Sequence, residues 1–203
     1  MLVTIEGIDG AGKTTLAAGL AVALRERGVD AELLREPGGV ELSERVRALV
    51  KDPALTVDPR AEALLYAAAR AQLVAERLAP MLAAGRWVLL DRFVDSSLAY
   101  QGAGRGLGVA AVRAINDFGT GGLAPDRTLL LRIDPAAGRS RAEGRGEAPD
   151  RLEAEGDAFF AAIGRAYDEL AAAEPDRIRI LDATRTPSEL VTDALDALGD
   201  LLP

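Results

Sequence analysis

The residues of this chain that bear chemistry most plainly lie near its start, where Gly7-Ile8-Asp9-Gly10-Ala11-Gly12-Lys13-Thr14 follows the apolar run from Leu2 to Glu6. The spacing is that of the phosphate-binding P-loop, G-x-x-x-x-G-K-[ST], in the context that loop requires between a strand and a helix. Such a loop aims backbone N–H groups and a helix N-terminus at nucleotide phosphates, while a lysine reaches the β and γ oxygens and a hydroxyl holds Mg²⁺. Lys13 and Thr14 occupy those two positions. Gly7 through Thr15 are therefore the candidate nucleotide-binding residues.

The elements that must position this loop follow an alternating rhythm. Apolar, β-prone runs at Leu2 to Glu6, Ala31 to Arg35, Trp87 to Asp91, Thr128 to Ile133 and Ile178 to Leu181 are separated by Ala- and Leu-rich helical stretches. That pattern predicts an α/β fold of the P-loop NTPase kind, three layers with a mainly parallel five-stranded sheet flanked by helices. The helix after the P-loop spans Lys13 to Arg27 and stops at Gly28. A long helical pattern covers Pro59 to Ala84 with a break or kink expected at Pro80. Thr186, Pro187 and Glu189 form a capping box for a last helix whose buried face is Leu190, Ala194, Leu198 and Leu201. In open parallel sheets ligands sit at the carboxyl ends of the strands. Arg35 to Gly39, Asp91-Arg92 and Asp182 to Arg185 fall at such ends, so they are expected to converge with the P-loop.

Composition narrows the function classes. The 203 residues, 49% of them hydrophobic, suit one domain with an ample core. With 24 basic and 32 acidic residues the net charge is −8, which disfavours nucleic acid and anionic membrane as partners. The absence of cysteine rules out a disulfide framework or thiolate site. There is also no histidine, which removes the usual general base. The chain opens directly into strand and P-loop, and no uncharged apolar stretch reaches about 18 residues. A cytoplasmic protein is the expectation.

Six further segments carry a more specific message: REPGG (35–39), LLYAAARAQ (64–72), DRFVDSSLAYQG (91–102), PDRTLLL (125–131), DRLE (150–153) and LDAT (181–184). Taken in order with the P-loop they resemble the thymidylate kinase family, which phosphorylates dTMP to dTDP using ATP. The resemblance implies that Glu36 and Pro37 border the acceptor nucleotide, that Tyr66 faces thymine, and that Arg70 donates to its carbonyl oxygen. The i, i+4 spacing of Tyr66 and Arg70 puts both on one helix face. Arg92 would clamp the acceptor phosphate, its planar fork matching phosphate oxygens. Asp91 would join Thr14 near the metal. Ser96, Ser97, Tyr100 and Gln101 would line the acceptor pocket, with Tyr100 crowding the sugar 2′ position. Asp9 would contact the acceptor sugar or a metal-bound water.

The Arg- and Gly-rich stretch from Gly138 to Arg151, which reads as a mobile surface segment, corresponds in this resemblance to a lid over ATP. One branch of the family carries a catalytic arginine in the P-loop and a bacterial branch carries it in the lid. The P-loop positions Ile8, Asp9, Gly10 and Ala11 include no cation, whereas the lid offers Arg139, Arg141 and Arg145. Arg145, then Arg141, are the expected catalytic cations, acting with Lys13 and Arg92. Arg151 and Glu153 match the step that closes the lid. Thr184 and Arg185 fall near the expected adenine site, and a homodimer is implied. Two other classes stay open: another P-loop kinase of nucleosides or nucleotides, with Glu36 as base for a hydroxyl acceptor, and a nucleotide-driven switch. Against the switch, the chain has no N-K-x-D tetrapeptide.

Overall fold

The structure, a computed structural model, describes residues 1–144 and 150–203. The five apolar runs form strands β1 (Leu2–Glu6), β2 (Ala31–Arg35), β3 (Trp87–Asp91), β4 (Arg127–Arg132) and β5 (Ile178–Asp182). They make one sheet in the order β2-β3-β1-β4-β5. Every pairing is parallel, so helical crossovers cover both faces. The central strands accordingly carry almost no exposed surface, with Leu2, Val3, Ile5, Val88, Leu89, Leu90 and Leu129 all fully buried. Register aligns the functional ends: Ile5 lies opposite Asp91, and Asp91 opposite Arg35.

Helices α1 (Lys13–Glu26), α2 (Glu41–Lys51) and α3 (Pro59–Leu73) follow the first two strands. α1 begins directly at the loop, with Gly12 at its N-cap in the left-handed region, and gives way to Gly28 at φ 81°. α3 starts where expected because Asp58 caps it, accepting from the Arg60 N–H at 2.8 Å, and Pro59 takes a first-turn position that has no donor to lose. Of the break or kink expected at Pro80, no break occurs: the helical path continues through a local distortion. Residues Val74–Leu78 adopt π-helical spacing and lead into α4 (Ala79–Ala83), with Pro80 in its first turn. The wider turn accommodates a ring that would otherwise meet the carbonyl one turn back.

After β3 come the one-turn α5 (Val94–Ser97), a second π-helical stretch at Leu98–Gly104, and α6 (Val109–Thr120). After β4 comes helix α7 (Pro135–Glu143), whose second part, from Gly138 onward, begins the segment that composition sets apart. Asp134 starts that helix by accepting from the Ala136 and Ala137 N–H groups at 2.9 and 3.3 Å. Helices α8 (Asp157–Ala173) and α9 (Pro187–Ala197) complete the layers. The predicted capping box at α9 is present: the Thr186 N–H donates to Glu189 Oε2 at 2.9 Å, and the Glu189 N–H to Thr186 Oγ1 at 3.4 Å. No described helix is long and apolar enough to cross a membrane.

Candidate active site

The carboxyl ends of the strands open into a cavity of about 840 Å³, of the size that takes small ligands. Its floor is the P-loop. Gly7 and Gly12 take φ values of 138° and 96°, which turn the backbone in the way glycine permits. Gly10 has no alternative: a Cβ there would fall 1.9 Å from the Gly138 carbonyl oxygen, so α7 packs backbone to backbone on the loop. Lys13 Nζ donates to the carbonyls of Gly7 at 3.0 Å and Ile8 at 2.8 Å. Burial and the nearby Arg92 guanidinium bring Lys13 down to about 8, against the opposing pull of Asp9, Asp91 and Glu6.

Beside Lys13, the Thr14 hydroxyl donates to Asp91 Oδ2 at 3.0 Å. One hydroxyl and one carboxylate, both hard oxygen donors at a phosphate-binding loop, fit Mg²⁺, which keeps several waters and is shared with substrate phosphates.

Arg92 ties the loop to the end of β3. It is the one non-glycine residue with positive φ among the described residues, at 70°. Its Nη1 donates to the Gly7 carbonyl at 3.1 Å and to Ser96 Oγ at 3.0 Å. Its Nη2 donates to Asp9 Oδ1 at 2.6 Å and to Tyr100 Oη at 3.2 Å. The guanidinium also lies over the Tyr100 ring, 4.9 Å from its centre. Burial alone would raise Asp9, but Arg92, Lys13 and the Tyr100 hydroxyl hold it well below the ordinary carboxylate range. The turn is secured from beneath by Glu6, a buried carboxylate that accepts from the Phe93 N–H at 2.7 Å, Ser96 Oγ at 2.6 Å and Tyr167 Oη at 2.9 Å. Burial and the Asp95 charge raise Glu6.

The opposite wall contains Glu36, Pro37, Tyr66, Arg70, Ser97 and Gln101. Arg70 is 1% exposed, and each guanidinium nitrogen is engaged. Its Nε donates to Glu36 Oε2 at 2.7 Å, Nη1 to Ser97 Oγ at 3.0 Å and to Asn116 Oδ1, and Nη2 to the Phe93 carbonyl at 2.9 Å. Any donor offered to a ligand carbonyl must be shared with, or released from, one of these partners. Burial raises Glu36 to about 7 despite Arg70, and its Oε1 is a buried acceptor with no partner among the described residues.

The remaining sequence candidates separate. Gly7, Ile8 and Ala11 shape the loop from behind, and Thr15 and Arg141 reach the cavity. Arg141 Nη1 donates to the Ala183 carbonyl at 2.8 Å, joining α7 to the loop after β5. Arg139 turns away, pairing with Asp157 and lying over Phe160. Arg185 is held by Asp193 at 2.8 Å and Glu189 on α9, outside the cavity wall, and Thr184 bonds back to Asp182. Arg145 lies outside the described residues. Arg151 stands away from the phosphate end, its Nε donating to the Val50 carbonyl at 3.0 Å.

Arg35, expected at the cavity, lines it and its Nη2 grips both oxygens of Glu44 at 3.0 Å. Residues absent from the sequence candidates include Glu6 and Glu62, both 0% exposed. The signal for Glu6 was available: a carboxylate ending an otherwise apolar strand must find donors in the interior. Glu62 stands one helical turn before Tyr66, on the same face of α3, and could have been found by the same argument.

Comparison with known proteins agrees with this geometry. The family model described as thymidylate kinase matches residues 5–194. Thymidylate kinase of Deinococcus radiodurans is 49% identical over 200 residues, spanning 98% of this chain and 97% of that one. The thymidylate kinase of Halorhodospira halophila is 46% identical over 205 residues, 99% and 94% of the two chains. The crystal structure of thymidylate kinase from Ehrlichia chaffeensis is similar with a TM-score of 0.81 at 29% identity, over 98% of each chain. With a P-loop at the carboxyl ends of a parallel sheet, and matches that run nearly end to end, this chain belongs to the thymidylate kinase family of phosphotransferases.

Proposed function

We propose that this chain phosphorylates dTMP to dTDP with Mg·ATP as donor, by direct in-line transfer, in the supply of dTTP in the cytoplasm. The observation that carries this reading is the meeting, in one cavity, of Lys13 and Thr14 with Arg92 and with the Tyr66, Arg70 and Gln101 wall. Lys13 and the P-loop bind the donor phosphates. Arg92 binds the acceptor phosphate, exchanging contacts with Asp9 and Ser96 for phosphate oxygens. Tyr66 and Arg70 hold the base, and Tyr100 borders the sugar. Thr14 and Asp91 would hold Mg²⁺, which would supply charge neutralisation on the donor. A phosphate monoester has its second pKa at about 6. The acceptor therefore arrives as a nucleophile and no base is needed, in keeping with a chain that lacks histidine. Catalysis is then positioning and electrostatics.

The active form is proposed to be a homodimer. α3 packs between α2 and α6. Large apolar side chains stand out from these three helices: Leu42, Leu49, Leu64 at 56% and Phe118 at 92% exposure. A surface of that kind marks an interaction site.

Five outcomes test these statements. In a panel of dTMP, dUMP, UMP, dCMP, dGMP and thymidine with Mg·ATP, ADP release is fastest with dTMP; preference for thymidine would instead assign Glu36 as base for a hydroxyl acceptor. Arg145→Ala lowers kcat by about 10²-fold or more with little change in ATP affinity, and parent-like turnover would remove Arg145 from catalysis. The Kd for Mg·ATP without acceptor rises as pH passes about 8, because Lys13 loses its proton there. Asp9→Asn shifts that bend to lower pH, since the carboxylate that favours charged Lys13 is gone; an unmoved bend would refute the coupling. Finally, sedimentation gives a dimer mass for the parent and a monomer for Phe118→Glu, whereas a dimeric variant would move the interface elsewhere.

A further inference from the structure

Outside the phosphate end of the cavity, Glu62 on α3 is a heavily engaged buried carboxylate. Its side chain is 0% exposed and draws three side chains from two segments, the Leu98–Gly104 stretch with its C-cap and the chain after residue 149. Arg105, from the turn before α6, donates to it through Nε at 3.3 Å and Nη2 at 3.1 Å. Arg151, where the chain returns from the lid, approaches Oε2 at 2.6 Å. Gln101 Nε2 donates to Oε1 at 2.9 Å. Arg105 is further fixed by Glu155 and lies over the Phe159 ring, 4.8 Å from its centre.

This arrangement settles a question that an amide side chain otherwise leaves open. The two ends of a glutamine are a donor and an acceptor, and which one faces a ligand is decided by the partner of the other end. A carboxylate paired with two guanidinium groups offers acceptors only. The NH₂ of Gln101 must therefore turn to Glu62, and the carbonyl Oε1 is the end available to the cavity that Gln101 lines. No described residue donates to that oxygen.

We infer that Glu62 is a positioning residue for acceptor specificity: by holding the Gln101 amide in one orientation, it makes the pocket demand a hydrogen-bond donor on the acceptor base. This rests on the acceptor-pocket reading given above. A thymine or uracil ring supplies such a donor at its N3–H. Cytosine presents a bare nitrogen there, which would set acceptor against acceptor and leave a buried polar atom unpaired, the situation that sites of this kind reject most strongly. Arg105 and Arg151 keep the carboxylate in place, so the chain returning from the lid is tied to the group that orients the base-reading amide.

The experiment compares kcat/KM for dTMP and dCMP in the parent, Glu62→Gln, Glu62→Asp and Gln101→Met. Replacing the carboxylate by an amide allows either orientation of Gln101. Glu62→Gln is therefore expected to reduce the dTMP-to-dCMP ratio at least tenfold, mostly through KM, while Glu62→Asp retains most of it. A purely structural role would lower both activities together and leave the ratio unchanged, which would overturn the inference. Gln101→Met keeps the test decisive if Glu62→Gln does not fold: it must lose the same discrimination, and an intact ratio there also overturns it. Failure of the parent to use dTMP at all would reject the function itself, a result separate from either ratio.

Discussion

The contact on which the site depends is the bridge from Arg92 to the P-loop. One guanidinium meets the Gly7 carbonyl, the Asp9 carboxylate, the Ser96 hydroxyl and the Tyr100 ring and hydroxyl. The bridge requires parallel register that sets Ile5 beside Asp91, and a backbone at Arg92 that enters the left-handed region. A non-glycine residue there costs on the order of 1 kcal/mol or more and persists only when its surroundings enforce it. Here the enforcement comes from Glu6, whose carboxylate collects the Phe93 N–H and the Ser96 hydroxyl immediately after the bend. Ser96 donates its proton to Glu6 and so presents a lone pair to Arg92. The strand before the P-loop thus sets the direction of the cation that faces the phosphate site.

Charge within this acidic protein is distributed by function. The net charge is −8, yet Lys13, Arg92 and Arg141 converge on the cavity and Arg70 is wholly interior. Each buried cation has a carboxylate: Asp9 for Arg92 and Lys13, Glu36 for Arg70, Glu62 for Arg105 and Arg151. Buried pairs of this kind contribute little net stability, but losing one partner costs about 3–5 kcal/mol because the other charge is left stranded. What they supply is orientation. Cations already desolvated and held by fixed carboxylates need little reorganisation to meet an anionic ligand.

Glycine and proline explain where the chain departs from simple helical and loop expectations. At Gly138 the absence of a side chain lets α7 lie against Ile8 and Asp9, where a Cβ would stand 2.8 Å from Ile8 Cδ1. Composition alone sets the same glycine at the start of an Arg- and Gly-rich surface segment, because composition does not register a close approach of two backbones. Pro80 is read as a break or kink from its local chemistry alone. Its local cost is real, but π-helical spacing over Val74–Leu78 absorbs it while Leu73 and Leu78 stay buried in the core.

The sequence by itself determined the strand and helix rhythm, the phosphate loop, the cap at Thr186 and the family. These are written locally: a hydrophobic period, a glycine pattern or a capping box needs only neighbours in the chain. It also named most of the cavity wall, from Asp9 to Gln101, because those residues belong to contiguous motifs. Tertiary structure alone decided which charges reach the cavity. Arg139 and Arg185 lie in segments that also carry other candidates, yet Asp157, Asp193 and Glu189 hold them elsewhere. Conversely, Glu6 and Glu62 acquire their roles from groups 39 to 161 positions away, such as Gln101 and Tyr167. A long side chain can swing through several ångströms at little cost, so its partner is chosen by what folding brings near it, and no spacing along the chain records that choice.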